Sequence, residues 1–494
     1  MKNWDGHYTH YVGSTIIESM ISVYVLTGDK CLYDWSLNYI NWLNRFSKWP
    51  YGVNDFLSDT MHYNSSHVVA YGENVKHPAI MYCADGNAEF LRASVKGLQK
   101  IMDKCGQRTG APSSNMEYIS PPGATAETEY CNFSTFSHTF SWMAMATGDP
   151  RYGDMMEKII YNGAQGARKN DERAVSYMSA PNTIVADRHS CNFFVDDMLS
   201  YAPCYHTACC PTQSVRAFPE LIRGMCMADA EGNLYFVAYG PCVVKTDGME
   251  IVCETHYPFN ETLKFTVRAD SPCNKSIHFK IPDWCESAEM ELNGAEREII
   301  SQKGGFRSVF RDWMGETTIT LAFRSGVRVV KINDNDLANK QPIAFEYGPL
   351  LFCLPIAERW EPYPGSPMTP LPENWSWYEV KPEIRDIETD IYNLTCSRFE
   401  YIPWHVAVRE DVDVSEIKII RAEPDGYVWE NPPIRLSVPM RRAKYAYFAS
   451  IWRTTEVYEA PVASSPEEIT VELIPYGCTA LRISYFPRAS LHSE

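Results

Sequence analysis

The sequence predicts a multidomain α + β protein, with stacked helical hairpins over residues 1–228 and β-sandwich modules over 229–345 and 346–494. Three observations carry this prediction. Apolar residues recur at three- and four-residue spacing from Tyr11 to about Ala228, the period of helices that bury one face. After residue 229 the period falls to two, which puts alternate side chains on one face of a strand. A chain of 494 residues has room for about three domains.

In chain order, Ile16, Ile17, Met20, Ile21 and Tyr24 form the first helical stripe, closed by Thr27-Gly28-Asp29. Gly28 suits the left-handed conformation in which helices commonly end. Phe90, Leu91, Val95, Leu98, Ile101 and Met102 form a second stripe that closes near Gly106, and Phe133, Phe136, Phe140 and Met143 a third. The third ends in Thr147-Gly148-Asp149-Pro150, repeating the earlier Thr-Gly-Asp. Such repeats stack as hairpins. About seven helices are expected before residue 229, and a closed ring of six hairpins holds twelve, so the ring is small or its beginning is absent. Beyond it, Leu263-Lys-Phe265-Thr-Val267, Ile277-His-Phe279-Lys-Ile281, 317–323 and 469–474 alternate as strands. The prolines at 355, 362, 364, 367, 370 and 372 predict a connection between two β modules, with the boundary near residue 346.

Composition narrows the function. With 45% hydrophobic and 22% charged residues the chain is neither disordered nor fibrous. A net charge of −17 repels phosphate and anionic lipid, so neither nucleic acid nor a membrane surface is an expected partner. The longest apolar stretch, 16–26, is broken by Glu18 and Ser22 and falls short of the roughly 18 residues a membrane span needs. The opening MKNWDGHYTH lacks the charged start and apolar core of a secretory signal, which predicts a cytoplasmic protein. Oligomeric state is left open.

Two segments concentrate metal-type donors: Glu127-Thr-Glu129-Tyr-Cys131 and Cys204-Tyr-His206-Thr-Ala-Cys209-Cys210-Pro211. Adjacent cysteines pair poorly with each other, so Cys209-Cys210 points to metal ligation or reactivity, or else to two buried thiols in a reducing compartment. Three thiolates and one acid would satisfy tetrahedral zinc. The spacing fits no zinc finger, and by itself it leaves both readings open.

Taken in order, Glu129-Tyr-Cys131, a long helix ending in Thr-Gly-Asp, Glu157-Lys-Ile-Ile-Tyr161-Asn162-Gly163, and then Cys209-Cys210-Pro211 with Arg216 resemble glycoside hydrolase family 127. These are the β-L-arabinofuranosidases, and the resemblance covers about residues 11–345. It implies an (α/α)6 barrel, here without its first helices, followed by β-sandwiches. It also implies a Zn2+ held by Glu129, Cys131, Cys209 and Cys210, with Cys209 doubling as nucleophile. Glu117 is then the expected acid/base, with Glu127 its competitor or a charge at a helix N-terminus. His67 and Glu157 are expected to contact the sugar, and His206 to support the ligands or the loop. Cys191 and Cys204 are expected to be structural.

The implied activity is a zinc-dependent, retaining exo-glycosidase acting on β-L-arabinofuranosides or a related plant-glycan furanose, with an oligosaccharide or glycoside as partner. Thr212-Gln213 and Ser14 depart from the family pattern, which leaves the exact sugar open. A catalytically inactive carbohydrate-binding scaffold of the same fold is one alternative. A polysaccharide lyase is another, since helical barrels joined to sandwiches also occur among lyases.

Overall fold

A computed structural model describes residues 15–46, 49–171, 173–188, 198–204, 209–332, 342–364, 371, 373–383, 405–443, 447–449, 455–457 and 461–490. Ser14, Cys191 and His206 lie outside them. The helical half comprises α1 (Ile16–Thr27), α2 (Lys30–Phe46), α3 (Val53–Leu57), α4 (Val68–Val75), α5 (His77–Asp85), α6 (Ala88–Cys105), α7 (Tyr130–Thr147), α8 (Arg151–Lys158) and α9 (Cys209–Gly224). A π-turn, Ile159–Ala164, prolongs α8. Two more helices form before residue 229 than the periodicity predicts, because α3 and α4 are too short to show a stripe. Among the described residues the nine α-helices are still fewer than a closed ring of six hairpins requires.

The two Thr-Gly-Asp segments form the same joint. Gly28 and Gly148 are left-handed (φ 71° and 68°), and each donates its N–H to the carbonyl four residues back. Thr27 and Thr147 accept from Asp29 and Asp149, whose carboxylates accept from Cys31 and Arg151 at 3.0 Å. One side chain therefore closes a helix and the next opens its successor.

Short strands bring loops to the inner end of this array: β1 (Ser114–Asn115), β2 (Tyr118–Ile119), β3 (Thr128–Glu129), β4 (Val175–Ser176), β5 (Met178–Ser179) and β6 (Tyr201–Ala202). β1 and β2 pair as a hairpin, and Glu129 of β3 faces Met178 of β5.

The β half opens with an eight-stranded sheet of β7 (Cys226–Ala228), β8 (Leu234–Phe236), β9 (Cys242–Thr246), β10 (Met249–Thr255), β11 (Thr262–Ile281), β12 (Ser287–Leu292), β13 (Glu298–Ile300) and β14 (Gly305–Arg324). β11 and β14 run antiparallel along their length, with a register shift between Ala269 and Cys273. Leu263, Phe265, Val267, Ile277, Phe279 and Ile281 are all buried, as the two-residue period predicts. A nine-stranded sheet follows, its main path running 327–331, 343–347, 350–355, 464–475, 434–443, 406–409 and 488–489. The first part of the proline segment forms a strand: Glu358–Tyr363 pairs with Trp377–Pro382, because Pro362 needs no N–H in the short ladder it joins, and Pro367, Pro370 and Pro372 lie outside the described residues. Among the described residues no helix is long and apolar enough to cross a membrane.

Buried ions fasten the two halves. Lys280 of β11, fully buried, lies 2.8 Å from both Asp154 and Glu157 of α8. Lys158 meets Glu346 at 2.6 Å, and Arg328 meets the same carboxylate at 3.2 Å. Gly153 allows this approach, since a Cβ there would stand 1.7 Å from the Val237 carbonyl oxygen.

Candidate active site

Local backbone geometry places each reactive side chain. Met116 and Glu117 are the two central residues of the β1–β2 hairpin, and both are left-handed (φ 50° and 71°). That conformation fits a two-residue hairpin turn but is costly for residues with a side chain, by about 1 kcal/mol or more each. The surroundings enforce it: the Glu117 carbonyl accepts from Val68 at 2.9 Å, and His67 bridges to Tyr118. Glu117 is thus held at a turn tip.

His67 stands immediately before α4 as its N-cap, and its Nδ1 accepts the Val69 N–H at 3.2 Å. Accepting there leaves the proton of the neutral ring on Nε2, which lies 3.2 Å from Glu117 Oε2. The Tyr177 hydroxyl donates to the other carboxylate oxygen at 2.5 Å. Tyr177 also receives the Cys209 thiol at 3.2 Å, so one hydroxyl joins acid and sulfur.

Glu129 is the N-cap of α7, Cys131 lies in that helix's first turn, and Cys209 and Cys210 open α9. Two helix starts, whose dipoles favour negative charge, therefore converge on one point. Ligand-type atoms of Glu129, Cys131, Cys209 and Cys210 lie within 4.8 Å of one another, as do those of His67, Glu117 and Glu129. Individual spacings are 3.5 Å from Cys131 to Cys210, and 3.5 and 3.6 Å from Glu129 Oε1 to Cys209 and Cys210. Among the described residues, Glu129 Oε2 is buried with no hydrogen-bond partner.

Burial pushes the Glu129 carboxyl and the Cys131 and Cys210 thiols well above their ordinary ranges. Cys209 goes the other way, drawn far down chiefly by the Cys131 and Cys210 thiols crowded against it. Among these four crowded acids Cys209 is therefore the one whose proton is most easily lost. An orphaned carboxylate oxygen and three clustered sulfurs are the donors that suit tetrahedral zinc.

The remaining expectations fare differently. Glu157 is not among these groups. It is fully buried, with one oxygen receiving the Tyr239 N–H at 2.7 Å and the other the Tyr257 hydroxyl, beside Lys280. Burial pushes it up to about 6, with Lys280 opposing that rise. It is a fastener between helix and sheet, not a group free to meet sugar. Glu127 is not in a helix at all. It is buried beside the hairpin, receiving Met116 N–H at 3.4 Å, and lies two residues before the cap of α7. Arg216 reaches His138 at 3.0 Å. Cys204 is half-buried.

Tyr177 was not predicted. It sits between two strands of two residues each, too short for any period to register, and only its through-space contacts reveal it.

Comparison with known families decides the identity. Residues 4–223 match the model for the "Beta-L-arabinofuranosidase, GH127 catalytic domain", and residues 233–325 match that for the "GH127 middle domain". The chain belongs to glycoside hydrolase family 127. Family membership makes it a glycoside hydrolase with a glycoside as substrate, and removes the lyase alternative.

Solved structures share the fold of this family 127 chain. One called a glycoside hydrolase has a TM-score of 0.71 at 18% identity, over 97% of this chain and 75% of that one. A GH127 β-L-arabinofuranosidase from Geobacillus stearothermophilus T6 gives 0.66 at 18% identity, over 96% and 71%. A GH127 β-arabinofuranosidase gives 0.64 at 16% identity, over 96% and 68%. No curated protein matches the chain by sequence.

Proposed function

We propose that this chain is a zinc-dependent, retaining exo-glycosidase acting on β-L-arabinofuranosides, with Cys209 as nucleophile and Glu117 as acid/base. The observation that carries the reading is the convergence of Glu129, Cys131, Cys209 and Cys210, with Glu117 one hydroxyl away. Residues 1–228 are the catalytic domain, and 229–345 and 346–494 are the β modules that buttress it. Glu129, Cys131, Cys209 and Cys210 are the zinc ligands. When bound there, a dication would keep the thiols deprotonated at neutral pH and fix the direction of the reacting sulfur.

The chain's own residues perform the rest. Cys209 sulfur attacks the anomeric carbon while Glu117 gives its proton to the departing oxygen. Glu117, now a carboxylate, takes a proton from water, which displaces the sulfur. Two inversions return the starting configuration. His67 Nε2–H and the Tyr177 hydroxyl hold the carboxyl between them and so fix its orientation. In this reading His67 also contacts the sugar.

Proton NMR of the sugar first released from p-nitrophenyl β-L-arabinofuranoside tests this. The expected result is the β anomer, with activity lost on chelation. An α product excludes Cys209 as covalent nucleophile. Absence of turnover by zinc-replete protein on any aryl furanoside favours the inactive scaffold.

A further inference from the structure

A second group of thiols lies away from the active site, where the first sheet meets the helical half. β9 and β10 are joined by a tight turn at Asp247-Gly248, and their register sets Cys242 directly opposite Cys253. Residues directly opposed in an antiparallel pair project from the same face, with Cα atoms about 4.5–5.5 Å apart. That separation lies inside the range a disulfide spans. Both cysteines are free thiols. Among the described residues no other two cysteines face each other across a ladder.

The setting separates the two sulfurs by role. β9 is an edge strand, bonded only to β10 in its sheet path. Cys242 is half-buried and the neighbouring Cys253 draws its thiol below the ordinary range, while Cys253 is buried. An accessible, readily deprotonated thiol beside a buried partner is the arrangement of an attacking and a resolving cysteine. Cys226, half-buried on β7, is a third thiol near Cys242. Just upstream, the Tyr239 carbonyl receives the Tyr161 hydroxyl of the π-turn, so this edge is also where sheet and helices are stitched.

We infer that Cys242 and Cys253 form a modification site, closing to a disulfide when a glutathione-type disulfide is the oxidant. The Cys242 thiolate attacks one sulfur of the oxidant, whose S–S bond breaks and releases one thiolate that takes up a proton. Cys253 then gives up its proton and attacks Cys242 sulfur in the mixed disulfide, expelling the second thiolate, which is protonated in turn. Two protein sulfurs are oxidised by two electrons in all, and the oxidant becomes two thiols. The product ties the edge strand to its neighbour across a loop of about eleven residues.

The test uses the zinc-replete full chain treated with oxidised glutathione, alkylated under denaturing conditions and digested with trypsin. Cys226 and Cys242 share the peptide 224–245, and Cys253 lies in 246–264, so the inferred bond joins two peptides. The expected result is that joined species, rising from none to most of the protein and disappearing with dithiothreitol. It should persist in Cys226→Ser and vanish in Cys242→Ser. Exposed Cys31 and Cys83 report that the oxidant has acted. If both are capped by glutathione while 246–264 stays unlinked, the inference is overturned. A bond confined to 224–245, which would join Cys226 to Cys242, overturns it equally.

Discussion

Two groups of buried acids in this molecule are neutralised in opposite ways. At the seam between helices and sheets, Asp154 and Glu157 share Lys280, and Glu346 lies between Lys158 and Arg328. In the active site, Glu129 and three cysteines crowd together, and the main influences on Glu129 are burial and its acidic neighbours Glu117 and Cys209. Burying charge is tolerable only when it is paired or bound to a metal. The seam carries its cations in its own sequence, whereas the site, in the function proposed above, takes one from outside.

The largest effect should come from breaking the site. Cys209→Ser is expected to lower kcat about 10³-fold or more, with stability little changed. Cys131→Ser and Cys210→Ser should also lose zinc, read by elemental analysis of freshly purified protein. Full zinc content in both variants would mean that other residues hold the metal.

The same operation at the seam should cost stability and leave the chemistry alone. Lys280→Met strips the cation from Asp154 and Glu157 and is expected to destabilise the fold by about 3–5 kcal/mol in urea unfolding. Zinc content and kcat of the folded fraction should stay at the native level. A selective loss of kcat would mean that the seam and the site are coupled.

Acid should also separate the two regions. Burial tends to raise Glu346, but Lys158, Arg108 and Arg328 overcome it and hold the carboxyl at about 2. Because its folded value lies below the ordinary 4.5, its contribution is complete above that pH and is lost as pH falls toward 2. About 3 kcal/mol should disappear over this window. Glu346→Gln should flatten that part of the stability curve, and an unchanged curve would remove Glu346 from the seam.

The smallest expected effect distinguishes the two roles considered for Glu157. As a fastener, Glu157→Gln should cost about 1–2 kcal/mol of stability and leave KM unchanged. A rise in KM of tenfold without loss of stability would restore it to the sugar site.

The history of Glu157 shows what sequence could convey. Its place in a motif suggested contact with substrate, but its true partner, Lys280, is more than a hundred residues away on an alternating strand where a lysine ordinarily faces solvent. That Glu129, Cys131, Cys209 and Cys210 come together was legible because uncommon residue types stand in a distinctive order. Helical and strand periods were legible wherever elements were long, as in α7 and β11. α3, α4 and the two-residue strands were not, since their positions come from packing and from single hydrogen bonds. The left-handed Met116-Glu117 turn was hidden for a similar reason: no glycine or asparagine marks it, and its neighbours impose it.

The proposed metal ligands sit at the starts of α7 and α9, which makes these helices the two arms of a pair of tongs. Their jaws hold the sulfurs, and further along the arms Gly224, the last residue of α9, nests against Ser141 of α7 and Met156 of α8. A Cβ at Gly224 would stand 2.6 Å from the Met156 methyl and 2.9 Å from the Ser141 hydroxyl. At about 1.5 Å per residue, that contact lies some 22 Å along the helix from Cys209. The gap between the jaws is therefore gauged at the handle, by a residue with no side chain and no chemistry of its own.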